Sequence, residues 1–218
     1  MKKSDQILSY LYPVTVEVTS SQWNPVLEVV LNGGKYSLNS ENTNYSYGSL
    51  YSLFKRIFRR LKLDWSGINS VLVLGFGTGG VAEIIRKYKP DCSIDGVEID
   101  SKVLELGEKY FKTGQLKDVT IHCTGAAMFL KECTNRFDLV IIDVYHDINV
   151  PAEAETYEFL ENVRNVLGRG GVVIFNKSIF DKRSREQIPV LKELYKKVFG
   201  EAEIMTVMVT GRIFIAKN

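Results

Sequence analysis

Residues 71–80 read VLVLGFGTGG, a β-branched apolar run closed by Gly75, Gly77, Gly79 and Gly80. The run predicts a buried strand. The glycines predict a tight turn into a helix, whose first backbone N–H groups face a ligand that no Cβ keeps away. Two spacings are met at once: Gly75, Gly77 and Gly80 fit G-x-G-x-x-G, while Gly75, Gly77 and Gly79 fit G-x-G-x-G. The loop alone leaves two classes of nucleotide ligand open, and the rest of the chain has to choose.

Outward from this loop, short β-branched runs alternate with helical periods. Strands are expected at 71–75, 93–99, 118–123, 138–144, 171–176, 202–208 and 211–216, with helices at 79–89, 101–112, 125–134, 153–167 and 184–199. Such alternation builds a parallel sheet covered by helices on both faces. The last two strands break the rule, because only Val209 and Thr210, with Gly211 next, separate them and no crossover helix fits. They must form an antiparallel hairpin. A dinucleotide-binding sheet is parallel through its sixth strand, whereas the methyltransferase sheet, which this one resembles, closes with a reversed seventh strand beside the sixth. The expected fold is therefore α/β: a seven-stranded, methyltransferase-type, Rossmann-like sheet with an antiparallel last strand, preceded by a small N-terminal β unit. A nicotinamide-dependent oxidoreductase is disfavoured by the hairpin and by the lack of a separate substrate domain.

The N-terminal unit rests on VTVEVTSS and VLEVVLNGGKYSL, with Asn32-Gly33-Gly34 as the turn. A helix follows, its apolar face made by Leu50, Leu53, Phe54, Ile57, Phe58 and Leu61 and its outer face by Lys55, Arg56, Arg59, Arg60 and Lys62. We divide the chain into residues 1–65, the β unit with this basic helix, and 66–218, the nucleotide-binding catalytic domain.

Composition narrows the function. With 28 Lys and Arg against 26 Asp and Glu, the net charge of +2 argues against a nucleic-acid partner, and the basic helix reads as a solvated face. No apolar run approaches the roughly 18 residues that span a bilayer, and the start, MKKSDQILSYLYP, lacks the pattern of a signal peptide. The expected location is the cytoplasm, with no membrane partner. Cys92, Cys123 and Cys133 are odd in number and lack C-x-x-C spacing, so reduced, buried thiols are expected. With His122 and His146 as the only imidazoles, no metal site is expected.

In a doubly wound sheet the ligand sits beyond the C-terminal strand ends. The first strand delivers the loop of Gly75, Gly77, Thr78 and Gly79, and the second delivers Glu98, placed to accept the hydroxyls of a ribose. Asp100 reads as the N-cap of the next helix. The third strand is followed by TGAAMFL, which holds no carboxylate. After the fourth comes DVYHDINVPAEAE, the densest polar cluster of the chain. Asp143 stands at the strand end, followed by Asp147, Glu153 and Glu155. Grouped carboxylates favour a cationic substrate and accept a proton from a nucleophilic amine; as the bland alternative, Asp147 or Glu153 caps the 153–167 helix. His146 reads as a surface residue or a base.

These residues resemble the spermidine synthases, the polyamine aminopropyltransferases, from about residue 45 to 175. VLVLGFGTGGV is similar to the family's glycine loop, with Val73 where most methyltransferases carry an acidic residue. GVEIDSKVLELGEKYF is similar to its second strand and helix, implying ribose binding by Glu98. FDLVIIDVYHDINVPAEAE implies a catalytic aspartate at Asp143 and an amine-binding one at Asp147, and YSYGSL implies a substrate tyrosine at Tyr47. The chain departs from the pattern in five places: Thr78 stands where the family has a loop aspartate, Gly125, beside Ala126, replaces an adenine-contacting aspartate, Gly48 replaces a His or Gln, an acidic residue of the Tyr47 segment is absent, and one extra residue separates Asp143 from Asp147.

Two transfers need the same arrangement of a fixed nucleoside and an aimed nucleophile. Decarboxylated S-adenosylmethionine ends in a cation that wants the missing loop aspartate, whereas S-adenosylmethionine adds a carboxylate that bare N–H groups and Thr78 can serve. On that ground the first expectation is methyl transfer from S-adenosylmethionine to a small amine or other nucleophile. Aminopropyl transfer from the decarboxylated form to a polyamine is the alternative, and a non-catalytic nucleotide-binding protein is a third. The exposed edges of the N-terminal β unit suggest a homodimer.

Overall fold

The computed structural model describes residues 3–41, 44–46 and 49–218. Its centre is a sheet of seven strands: β5 (Ser70–Leu74), β6 (Ser93–Glu98), β7 (Val119–Cys123), β8 (Phe137–Ile142), β9 (Leu167–Ser178), β10 (Glu203–Val207) and β11 (Gly211–Lys217). Their spatial order is β10-β11-β9-β8-β5-β6-β7. The pairs β5–β6, β6–β7, β5–β8 and β8–β9 are parallel, and β11 runs antiparallel to both β9 and β10. The reversed seventh strand expected from the terminal hairpin thus lies between the fifth and sixth.

Strand parity explains why VLVL and LVII are apolar throughout. Val71, Val73, Leu139 and Ile141 face one core, where helix α2 (Ser49–Leu61) brings Phe54, Ile57 and Phe58, and helix α3 (Gly80–Tyr88) brings Ile84 and Ile85. Leu72, Leu74, Val140 and Ile142 face the other, against Phe159, Leu160 and Val163 of helix α6 (Tyr157–Val166) and Leu191 and Tyr195 of helix α7 (Lys182–Phe199). A sheet covered on both faces needs apolar side chains at both parities. The basic helix therefore buries its apolar face in the core of the large sheet.

Ahead of it lie helix α1 (Lys3–Leu8) and a four-stranded antiparallel sheet, β1 (Val14–Thr19), β2 (Leu27–Asn32), β3 (Lys35–Asn39) and β4 (Asn44–Ser46), in that spatial order. Asn32 pairs with Lys35 across Gly33 and Gly34, both at positive φ, the two-residue turn that NGG demands. Leu27, Val29 and Leu38 pack on Val103 and Leu106 of helix α4 (Ser101–Phe111), seating this small sheet against the large domain. No described helix is long and apolar enough to cross a membrane.

Helix 153–167 is two elements. A 3-10 turn, Ala152–Glu155, precedes α6, and Thr156 caps α6 by accepting the Phe159 N–H at 3.2 Å. Neither Asp147 nor Glu153 is the cap. Among the cysteines, Cys92 is buried, but Cys123 is exposed at the end of the edge strand β7. That strand lies at the sheet edge with no residue fully buried, and Cys133 is only half-buried, so the expectation of buried thiols holds for Cys92 alone.

Candidate active site

One cavity of about 260 Å³ opens at the C-terminal ends of β5, β6, β8 and β9. It is reached by the turn after β5, where Gly75, Gly77 and Gly79 have φ of 85°, 55° and 80°. Gly75 is required by packing. A Cβ there would lie 2.2 Å from the Asp143 carbonyl oxygen, because the end of β8 passes directly beneath and the Asp143 N–H donates to Leu74 O at 2.8 Å. The first glycine thus lets the end of β8 come close, where the sequence reading gave it to a ligand. Gly77 lines the cavity, as do Gly75 and Thr78, while Gly79 turns toward Thr113 and Leu116, outside the lining.

Glu98 ends β6, buried at the cavity floor. Its Oε2 accepts the Gly77 N–H at 2.8 Å and its Oε1 accepts the Asp100 N–H at 3.0 Å. Each oxygen keeps a further lone pair for a hydroxyl, so the carboxylate fits a vicinal diol while shaping the glycine loop. Burial pushes the Glu98 carboxyl up, against the pull of the two backbone N–H groups. Asp100 is the N-cap of α4, accepting the Lys102 N–H at 2.9 Å. Thr124 and Ala126 line the same side, and Gly125 between them is the N-cap of helix α5 (Ala126–Glu132), outside the lining.

Asp143 follows β8 and is 8% exposed. Desolvation raises its pKa to about 7, the Asn176 hydrogen bond opposes the rise, and the charge of Glu98 adds to it. Asn176 Nδ2 donates to Asp143 Oδ1 at 2.9 Å. Behind it, the Tyr145 hydroxyl donates to Asn176 O at 2.8 Å and accepts the Ser178 N–H at 3.0 Å. Burial pushes that phenol well above its ordinary range.

The loop carrying Asp147 is folded by reciprocal backbone bonds between His146 and Asn149, and Asp147 itself sits at φ 55°, a conformation that aspartate tolerates. Ser40, just after β3 of the N-terminal sheet, donates to Asp147 Oδ1 at 2.9 Å. His146 lines the cavity with its ring centroid 5.5 Å from that of Trp23. Glu153 also lines the cavity, while Glu155 is turned away into a buried ion pair with Lys177, 2.7 Å apart. Tyr47 lies outside the described residues.

The described lining thus gathers four carboxylates, Glu98, Asp143, Asp147 and Glu153, with no lysine or arginine. No group of described His, Cys, Asp or Glu side chains is arranged to hold a metal. Reading strand ends found Glu98 and Asp143 but stopped at the fourth strand. Asn176 and Ser178, at the end of the fifth, were missed, although the same rule points to them.

Residues 62–213 match the family model described as the spermine/spermidine synthase domain. A probable polyamine aminopropyl transferase of Bifidobacterium longum is 32% identical over 153 residues, covering 69% of this chain and 34% of its own length. A polyamine aminopropyltransferase of Alkaliphilus metalliredigens is 30% identical over 143 residues, 63% of this chain and 50% of its own. The chain therefore spans a third to a half of the curated relatives it matches. Among solved structures, spermidine synthase from Thermotoga maritima superposes with a TM-score of 0.69 at 17% identity, over 93% of this chain and 72% of the other. Human methyltransferase-like protein 13 superposes at 0.63 with 21% identity, over 77% and 79%. These structures show the shared fold.

The preference for methyl transfer does not stand. The family model is that of the spermine/spermidine synthase domain and the curated relatives are named polyamine aminopropyltransferases, and the premise about Thr78 is outweighed by the charge of the cavity. The lining that Thr78 shares carries four carboxylates and no described lysine or arginine, which opposes the carboxylate that S-adenosylmethionine adds.

Proposed function

The chain belongs to the spermine/spermidine synthase domain family, and on that premise we propose that it transfers an aminopropyl group from decarboxylated S-adenosylmethionine to a small di- or polyamine. The observation that carries the reading is the charge of the cavity. Four carboxylates and no described cation favour a substrate bearing several positive charges and disfavour an anionic one.

When bound, the sulfonium nucleoside supplies a methylene carbon whose bond to sulfur breaks with release of a neutral thioether. Glu98 holds the nucleoside end, and the Gly77 N–H it accepts keeps the glycine loop in place beside it. Asp143 accepts the proton that the amine sheds as its nitrogen bonds to that carbon, and a carboxyl titrating at about 7 is half in its accepting form at neutral pH. Asp147, braced by Ser40, and Glu153 attract the remaining ammonium groups of the acceptor. Orientation of the two reactants in one desolvated cavity supplies the rest.

The test is incubation with decarboxylated S-adenosylmethionine and a panel of di- and triamines, following the thioether nucleoside and the lengthened amine by mass spectrometry. Both products are expected with wild type, and a loss of at least about 100-fold in rate with Asp143→Ala. Absence of both products across the panel overturns the proposal.

A further inference from the structure

Asn176 is 2% exposed, on the face of β9 where the residue two positions back, Ile174, belongs to the apolar core. Its Nδ2 donates to Asp143 Oδ1, while its own Oδ1 is enclosed with no partner among the described residues. A buried amide with an unmatched oxygen costs stability that an isoleucine in the same place would not. Packing therefore does not account for an asparagine here. What the amide supplies is direction: with Oδ1 of Asp143 engaged, Oδ2 is the oxygen left to accept from an amine, and rotation of the carboxylate is resisted. The backbone of Asn176 is itself held by the Tyr145 hydroxyl, which ties the end of β9 to the loop that follows β8.

We propose that Asn176 is a positioning residue of the reaction, orienting Asp143 and favouring its proton-accepting form; the role in turnover rests on the aminopropyl-transfer reading. The donated N–H stabilises the carboxylate over the acid. The ionisable groups that line the cavity with Asp143 are Tyr51 from α2, Glu98 from β6, Tyr145, His146 and Asp147 from the following loop, and Glu153 from the 3-10 turn, and no lysine or arginine is among the described lining. Asn176 thus does by hydrogen bonding what a neighbouring cation does in other sites.

Asn176→Leu removes the donor, and Asn176→Thr restores one on a β-branched frame suited to a strand. In the Leu variant, kcat is expected to fall about 10- to 100-fold with the amine KM changed less than about threefold. The acid limb of the pH–rate profile should move to higher pH by about one to two units, since charge-assisted bonds of this kind contribute that much. The Thr variant should recover part of both. Calorimetric affinity for the nucleoside should stay at the wild-type value in each, which shows that the site is folded. Isotope-edited infrared titration of the Asp143 carboxyl, with Asp143→Asn as the blank, reads the same shift without turnover. A wild-type limb and a wild-type infrared titration in the Leu variant overturn the assignment even if aminopropyl transfer is observed. An infrared shift in a protein that transfers nothing upholds the Asn176–Asp143 coupling and overturns the reaction reading instead.

Discussion

Glu98 performs two tasks with one carboxylate: it fixes the glycine loop through Gly77 and the start of α4 through Asp100. Both contacts are donations from backbone N–H groups, so a side chain with one acceptor and one NH₂ group sets two donors face to face. Glu98→Gln is expected to lower nucleoside affinity about 10- to 100-fold, the cost of one unmatched buried donor. Calorimetric titration with the sulfonium nucleoside checks this, and wild-type affinity would remove Glu98 from the binding site. Glu98 and Asp143 were legible in the sequence because a strand end in this fold has one possible address. The part played by Thr78 was not legible for the opposite reason. Residue type tells that a hydroxyl is present, but its direction depends on the packing of the loop against α4, where the Thr78 backbone approaches Gly107.

Between elements, the decisive contact is the loop after β1 clasping the start of α4. Asp100 accepts from Ser21 Oγ at 2.5 Å and from Asn24 Nδ2 at 2.8 Å while capping the helix, and between them Trp23 reaches His146. One carboxylate thus holds the loop after β1, whose Trp23 packs on the cavity residue His146, against the start of α4. Asp100→Ala loses a helix cap and two charge-assisted bonds, an expected cost of about 2–4 kcal/mol. Asp100→Asn keeps the cap but turns an NH₂ group toward Asn24 Nδ2, so it should recover only the share of the cap, about 1 kcal/mol. Chemical denaturation measures the totals, and hydrogen exchange should rise over residues 20–26 in the alanine variant first. Equal losses in the two variants would assign the effect to charge alone. The hairpins were readable because their turns are local in sequence, as with Asn32-Gly33-Gly34. This clasp joins residues 79 apart, and neither end carries a local signature of the other.

At the scale of the whole molecule, the site is expected to tax the fold. Asp143 has a folded pKa of about 7 against an ordinary 3.8, with desolvation as the main cause. Between those values the folded protein holds a proton that the unfolded chain has released, so this group makes stability decline as pH rises from about 4 to about 7, with the full penalty present above. Three pH units at 1.36 kcal/mol each set an upper scale of about 4 kcal/mol. Asp143→Asn, of nearly the same shape and still able to meet Asn176, removes the charge. It should be more stable than wild type by about 2–4 kcal/mol at pH 8 and indistinguishable from it below pH 4, where both side chains are neutral. Urea denaturation at the two pH values tests this. A gain that is the same at both would mean that shape, and not the buried charge, sets the difference. A gain confined to high pH, together with loss of aminopropyl transfer, would show that the sheet holds at the end of β8 a charge it would be more stable without, which is what a proton acceptor enclosed in an apolar strand end requires.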